Sequence, residues 1–288
     1  MREYDILTDS ACDVEPEVLA KWDVGCIQFT FIFSGNDKEY LGNEIAIKEF
    51  YDKMRAGAVA KTSAINIERY KSFFRETLSK GRDVLCLAFS SGLSTTANSA
   101  RLAAQQMMEE FPDRKIRVVD TLAASSGLGL MVYLAAEKKK AGGDMDEVAD
   151  YIESIKQNVC HWFTVDDLVY LKRGGRISPA AAFFGNAIGI KPVLHVDSEG
   201  HLVKFDKVRG RRSSILALAD KFGERALDKE NGPIFISHGD CEKDAEELAK
   251  ILNERYGAKT DLITNIGPII GAHSGPGTLA LFFVGTER

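Results

Sequence analysis

Val84-Leu-Cys-Leu-Ala-Phe89, followed directly by Ser90-Ser-Gly-Leu-Ser-Thr-Thr96, decides the fold. An unbroken apolar run without alternation is the pattern of a parallel strand covered on both faces. After the hydroxyl-rich loop, Ala97, Ala100, Ala104, Met107 and Phe111 recur at helical spacing, while Glu109 and Glu110 fall on the opposite face. The order is therefore strand, polar loop, helix. In an open parallel sheet such a loop lies at the carboxyl end of its strand. Free backbone N–H groups and the positive end of the helix dipole there favour an anionic ligand. The competing reading is an ordinary helix N-cap by Ser or Thr.

Working outward, the same unit recurs. Tyr4-Asp-Ile-Leu-Thr8 reads as a strand leading through Asp9-Ser-Ala-Cys-Asp13 to a helix that Pro16 starts. A second strand over Val24 to Phe33 precedes a turn at Ser34-Gly-Asn-Asp-Lys38 and a helix over Ala46 to Arg55. Lys61-Thr-Ser63 stands before a helix carrying Ile67, Tyr70, Phe74 and Leu78, where Thr62 and Ser63 read as caps. Ile116-Arg-Val-Val119 leads through Asp120 and Ser125-Ser-Gly127 to a helix over Leu128 to Lys140. The alternation implies a right-handed parallel sheet with its loops gathered at one end.

A helix over Asp144 to Gln157 closes this half. The domains are expected at 1–157 and 158–288. In the second, Val193 to Asp206 reads as a hairpin around Asp197-Ser-Glu-Gly200. Further strands are expected over 233–237, 258–264 and 279–284, with helices over 211–227 and 242–253. The expected fold is α/β in two domains. The first is a Rossmann-like parallel-sheet domain and the second is α+β with a mixed or antiparallel sheet.

Composition narrows the function. The 288 residues are 45% hydrophobic, enough for substantial cores, and the formal net charge of −5 supplies no basic field for nucleic acid. The start, Met1-Arg-Glu-Tyr-Asp-Ile6, lacks a signal-peptide pattern and no apolar run is long enough to span a bilayer, so a cytoplasmic location is expected. Cys12, Cys26, Cys86, Cys160 and Cys241 are scattered and odd in number, so no disulfide framework or zinc site is expected.

Three segments carry candidate chemistry. Gly92-Leu-Ser94-Thr-Thr96 resembles a nucleophile elbow with Thr in place of the closing Gly; a serine esterase would draw on Ser94, Asp240 and His273. Arg173-Gly-Gly-Arg176 reads either as a carboxylate or phosphate contact or as a Schellman-type helix end with solvated charges. Gly271-Ala-His-Ser-Gly-Pro-Gly277 sets His273 in a Gly-rich loop, able to donate to an anion or carry a proton. No phosphate-binding P-loop is present, and Gly127-Leu-Gly129 lacks the third glycine of a dinucleotide fingerprint because position 132 is Val.

Taken together, Leu7-Thr-Asp-Ser10, Lys61-Thr-Ser63, Ser90-Ser-Gly-Leu-Ser94, Asp120, Arg173-Gly-Gly-Arg-Ile177 and His273-Ser-Gly-Pro-Gly277 resemble the DegV family across essentially the whole chain. These are bacterial fatty-acid-binding proteins whose better-known members are called FakB. The resemblance implies a non-catalytic carrier that holds one long-chain fatty acid such as palmitate, with its carboxylate at the domain cleft and its tail in an interior tunnel. It further implies presentation to a separate ATP-dependent fatty acid kinase. Delivery of the acyl phosphate toward phospholipid synthesis would bring transient contact with membrane acyltransferase machinery. Carried over, Thr62, Ser63, Ser94 and His273 match the carboxylate-binding positions, and Arg173 and Arg176 the kinase or phosphate contacts. No cofactor or metal is implied, and a monomer is expected. A lipid-sensing regulator is the remaining alternative. The departures are Ala64-Ile-Asn66, Thr95 and Ser274, where the family more often has Gln-Pro-Ser, Gly and Thr. The runs over 29–33, 180–184 and 279–284 line a tunnel or form plain core.

Overall fold

The computed structural model describes residues 2–177 and 189–288. The first half runs β1 (Tyr4–Asp9), α1 (Pro16–Lys21), β2 (Val24–Ile27), β3 (Thr30–Phe33), β4 (Glu39–Leu41), α2 (Ile47–Arg55), β5 (Ala60–Ser63) and α3 (Ile67–Leu78). It continues with β6 (Asp83–Ala88), α4 (Thr96–Glu110), β7 (Ile116–Asp120), α5 (Ser126–Lys140) and α6 (Met145–Ile155). The second half runs β8 (Val159–Thr164), α7 (Val169–Arg173), β9 (Ile190–Val196), β10 (Leu202–Arg209), α8 (Arg211–Arg225), β11 (Ile234–His238), α9 (Glu242–Tyr256), β12 (Leu262–Asn265), α10 (Pro268–Ser274) and β13 (Leu279–Val284).

The protein is a two-domain α/β chain. Four parallel strands in the order β2-β1-β6-β7 form one sheet, and a mixed sheet in the order β10-β9-β8-β13-β11-β12 forms the other. Every residue of β6 is buried, because α3 and α4 pack against it from one side and α5 from the other. The expected hairpin is present, with Leu202 opposite Val196.

Three expectations change. The strand predicted over 24–33 is split at Gln28-Phe29: the Phe29 N–H turns away to the Ser10 hydroxyl at 2.9 Å. β3 then leaves the parallel sheet and pairs antiparallel with β4 and β5, setting Phe31 opposite Thr62. Thr62 and Ser63 therefore lie on a strand and cap nothing. The α3 cap is Asn66, whose side chain accepts from the Arg69 N–H at 3.0 Å. The strand predicted over 258–264 shortens to β12, the stretch that has β11 as a partner.

α5 packs against β1 and β6 on one side and β8, β11 and β13 on the other, so its first seven residues are buried all round. This explains a helix with no polar stripe until its lysine-rich last turn. It also explains Gly127: a Cβ there would stand 2.1 Å from His161 Nε2. Buried side chains from both sheets share one core around α5, including Leu85, Leu128, Phe163 and Phe282, while Trp162, Phe222, Leu248 and Phe283 belong to a second core under α8 and α9.

Gly127→Ala is expected to cost about 1 to 3 kcal/mol, the usual range for overpacking a tight core. Urea unfolding followed by circular dichroism checks it, and an unchanged midpoint would contradict the packing described.

Candidate functional site

A cavity of about 370 Å³ lies between the two sheets. β5 supplies Thr62 to its wall. The loop from β6 into α4 supplies Leu93 and Ser94, the segment after α7 supplies Arg176, and α10 supplies His273. The rest of the lining is mainly apolar, with Phe29, Phe89, Phe163, Ile266 and Phe282 prominent.

Thr62 Oγ1 and His273 Nε2 are 2.8 Å apart, whereas buried His273 Nδ1 has no hydrogen-bond partner among the described residues. That asymmetry favours one tautomer. A neutral ring places its proton where an acceptor exists, so Nε2–H donates to the Thr62 oxygen and Nδ1 stays bare. Burial, and then the nearby Arg176 guanidinium, push the His273 pKa down to about 4, so the ring is neutral at pH 7. The Thr62 hydroxyl proton is thereby left for a ligand.

Ser94 precedes α4, a helix of fifteen residues, and its Oγ lies 2.8 Å from Thr96 Oγ1 and accepts from the Thr96 N–H at 3.3 Å. The helix-end role and the cavity role coincide on this residue. Arg176 is half-buried; its Nε donates to the Leu93 carbonyl at 3.2 Å and its Nη1 to the Gly174 carbonyl. The guanidinium thus braces the loop that carries Ser94.

The Arg-Gly-Gly-Arg segment is a Schellman end to α7: Gly175 N–H reaches the Lys172 carbonyl at 3.1 Å and Arg176 N–H the Leu171 carbonyl at 3.0 Å. Gly175 has φ +69°. Gly174 serves a different end, since a Cβ on it would stand 2.2 Å from His273 Nδ1. The helix-end and site readings of this segment are both correct.

The other expected site residues lie apart from the cavity wall. Ser63, next to Thr62 on β5, is exposed and is not among the lining residues, as the alternation of a strand requires. Arg173 is exposed, its guanidinium 5.7 Å from the centre of the Tyr170 ring. His273 sits in α10, which Pro268 opens, and the glycines expected around it follow as Gly275 and Gly277 with φ +82° and +78°. The run over 29–33 divides, with Phe29 lining the cavity and Phe31 in the core. The expectation for 180–184 lies outside the described residues.

Sequence reasoning gave no role to two buried carboxyls behind the wall. Asp9, at the end of β1, accepts from the Phe89 N–H at 2.9 Å and the Ala11 N–H at 3.2 Å. Asp13 accepts from the Ser125 hydroxyl at 2.5 Å and the Gly267 N–H at 2.9 Å, joining the start of α5 to the start of α10. The signal available was the pair of aspartates flanking Ser10-Ala-Cys12 directly after a buried strand. Burial raises Asp9 to about 7 and Asp13 to about 8.

A two-domain α/β scaffold enclosing a mainly apolar cavity with hydroxyls, imidazoles and a guanidinium in its wall is an architecture with room for a small amphipathic molecule. The chain belongs to the DegV family: the family model, described as an uncharacterised protein of the DegV family, matches residues 3–286. A DegV domain-containing protein of Clostridium perfringens is 42% identical over 291 residues, covering 100% of this chain and 99% of that one. A fatty acid-binding protein of Thermotoga maritima is 33% identical over 288 residues, with 98% of each chain covered. A solved structure described as fatty acid binding of a DegV family protein from Thermus thermophilus superposes with a TM-score of 0.88 at 32% identity, covering 99% of this chain and 100% of that one.

The two carboxyls give a pH prediction. Their folded pKa values lie above the ordinary 3.8, so the stability they confer is full below about pH 3.8 and is lost as pH climbs through about 7 and 8. Unfolding free energy should therefore fall between pH 5 and pH 8, by up to about 1.4 kcal/mol per pH unit for each group. Asp13→Asn keeps a polar side chain that tolerates the left-handed backbone at this position, φ +48°, and should flatten the slope. Equal slopes for the variant and the parent would refute the assignment.

Proposed function

We propose that this protein holds one long-chain fatty acid, such as palmitate, with its carboxylate at Thr62, Ser94 and His273 and its acyl chain against the apolar wall. The observation that carries this reading is that the Thr62 and Ser94 hydroxyls, a neutral imidazole and one half-buried guanidinium all line one mainly apolar cavity. Hydroxyl donors satisfy a carboxylate without burying a fixed opposite charge against it, and Arg176 adds a charge from the wall. Affinity comes from the tail, because each buried CH2 contributes about 0.8 kcal/mol before ordering costs. Relatives that bind fatty acids support the same reading.

The proposal extends to a partner. A separate fatty acid kinase phosphorylates the presented carboxylate in the cytoplasm, and the protein carries the acyl phosphate toward phospholipid synthesis, dividing functionally at residues 157 and 158. Arg176 suits the added charge of the phosphate, and exposed Arg173 suits contact with the kinase. An esterase draws no support from the geometry. Ser94 is engaged with Thr96, His273 Nδ1 has no acid behind it among the described residues, and Asp240 is paired with Arg55.

Organic extraction of the purified protein followed by mass spectrometry should release a long-chain fatty acid. If none co-purifies and none binds on addition, the reading fails. Ser94→Ala should weaken fatty acid binding by about 1.5 to 3 kcal/mol, the range for a hydrogen bond to a charged group. The wild-type protein should show no Ser94 labelling by a fluorophosphonate, and stoichiometric labelling would favour the esterase. Arg173→Ala should leave lipid affinity unchanged while slowing acyl phosphate formation with the kinase; loss of lipid binding in that variant would remove Arg173 from the partner surface.

A further inference from the structure

We propose that Ile269 is a specificity-determining partition, which limits the acyl chains the cavity accepts by closing it off from a second and larger cavity. The proposal rests on the fatty acid reading of the first cavity. The second cavity, about 630 Å³, lies on the other side of α10, against α1, β2 and the segment leading into α2. Part of its lining is apolar, including Leu19, Val24, Ile45 and Ile47, so it offers an acyl chain a surface of the right kind.

Neighbouring residues divide between the two cavities. Gln28 lines the second cavity and its neighbour Phe29 the first; Ile266 lines the first, and Gly267 and Pro268 the second. Ile269 differs: among the described residues it alone lines both cavities, and its side chain is buried at 3% exposure. It also lies one helical turn before His273 on the same face of α10, about 6 Å along the axis at 1.5 Å per residue. A chain anchored at His273 and running along α10 toward Ile266 must pass this side chain. A β-branched residue locked in a helical rotamer makes a rigid divider there.

Truncation of Ile269 removes the shared part of the wall and joins the two spaces. The test is the binding profile of saturated fatty acids from C12 to C22 for the wild type, Ile269→Val and Ile269→Ala. The expected result is a rise of at least fivefold in the affinity of the longest acid relative to palmitate in Ile269→Ala, with Ile269→Val between the two. An unchanged profile in a folded variant overturns the proposal. Crystals of the variant under xenon give a readout that needs no lipid, since gas density running between the two cavities is expected and two separate densities would overturn the partition. Failure of the wild type to bind any of the acids overturns the fatty acid reading itself, and with it this use of Ile269.

Discussion

Asp13 is the joint on which the arrangement depends. Its carboxyl takes a hydroxyl proton from Ser125 at the head of α5 and an amide from Gly267 at the head of α10, while its carbonyl takes the Thr264 hydroxyl at 3.0 Å. One buried residue in a left-handed backbone conformation thus fixes the relative position of three segments from both halves of the chain. The cost is a carboxyl held out of water. The return is a fixed α10, and hence a fixed His273, without a covalent cross-link.

The second constraint is the placement of α5 between the sheets. A helix covered on all sides has no room for side chains where strands approach it, which is why its first turn holds Ser126 and Gly127 before the larger Leu128. The space left beside that first turn becomes cavity, since Ala124 and Ser125 line it. The cavity is therefore a result of how the two layers are kept apart.

Much of this was legible in the chain. The buried run at 84–89 identified the parallel sheet, and the turn Asp197-Ser-Glu-Gly200 between two strands identified the hairpin, because burial and turn chemistry are both written in local sequence. The small antiparallel sheet was not legible. The break at Gln28-Phe29 is made by a hydroxyl from Ser10, and nothing in the apolar run itself announces it. Thr62, Ser94 and His273 were found by motif, while Ser63 was carried along by adjacency although the strand turns it outward. Arg176 was found by motif too, but its place in the cavity wall follows from the Schellman turn. The roles of Asp9 and Asp13 depend on partners from distant segments, as with Gly267, and sequence spacing does not encode those.

β13 carries a division that reaches beyond binding. Leu279, Leu281 and Phe283 point into the outer core, whereas Ala280 and Phe282 face the cavity. Along one strand, odd positions serve the outer core alone and even positions serve both the core around α5 and the cavity wall. Exchanges at 280 and 282 would reshape the cavity and the core around α5 while the hydrophobic layer beneath α8 and α9 stays as it is, so one of the two cores is insulated from changes in the cavity.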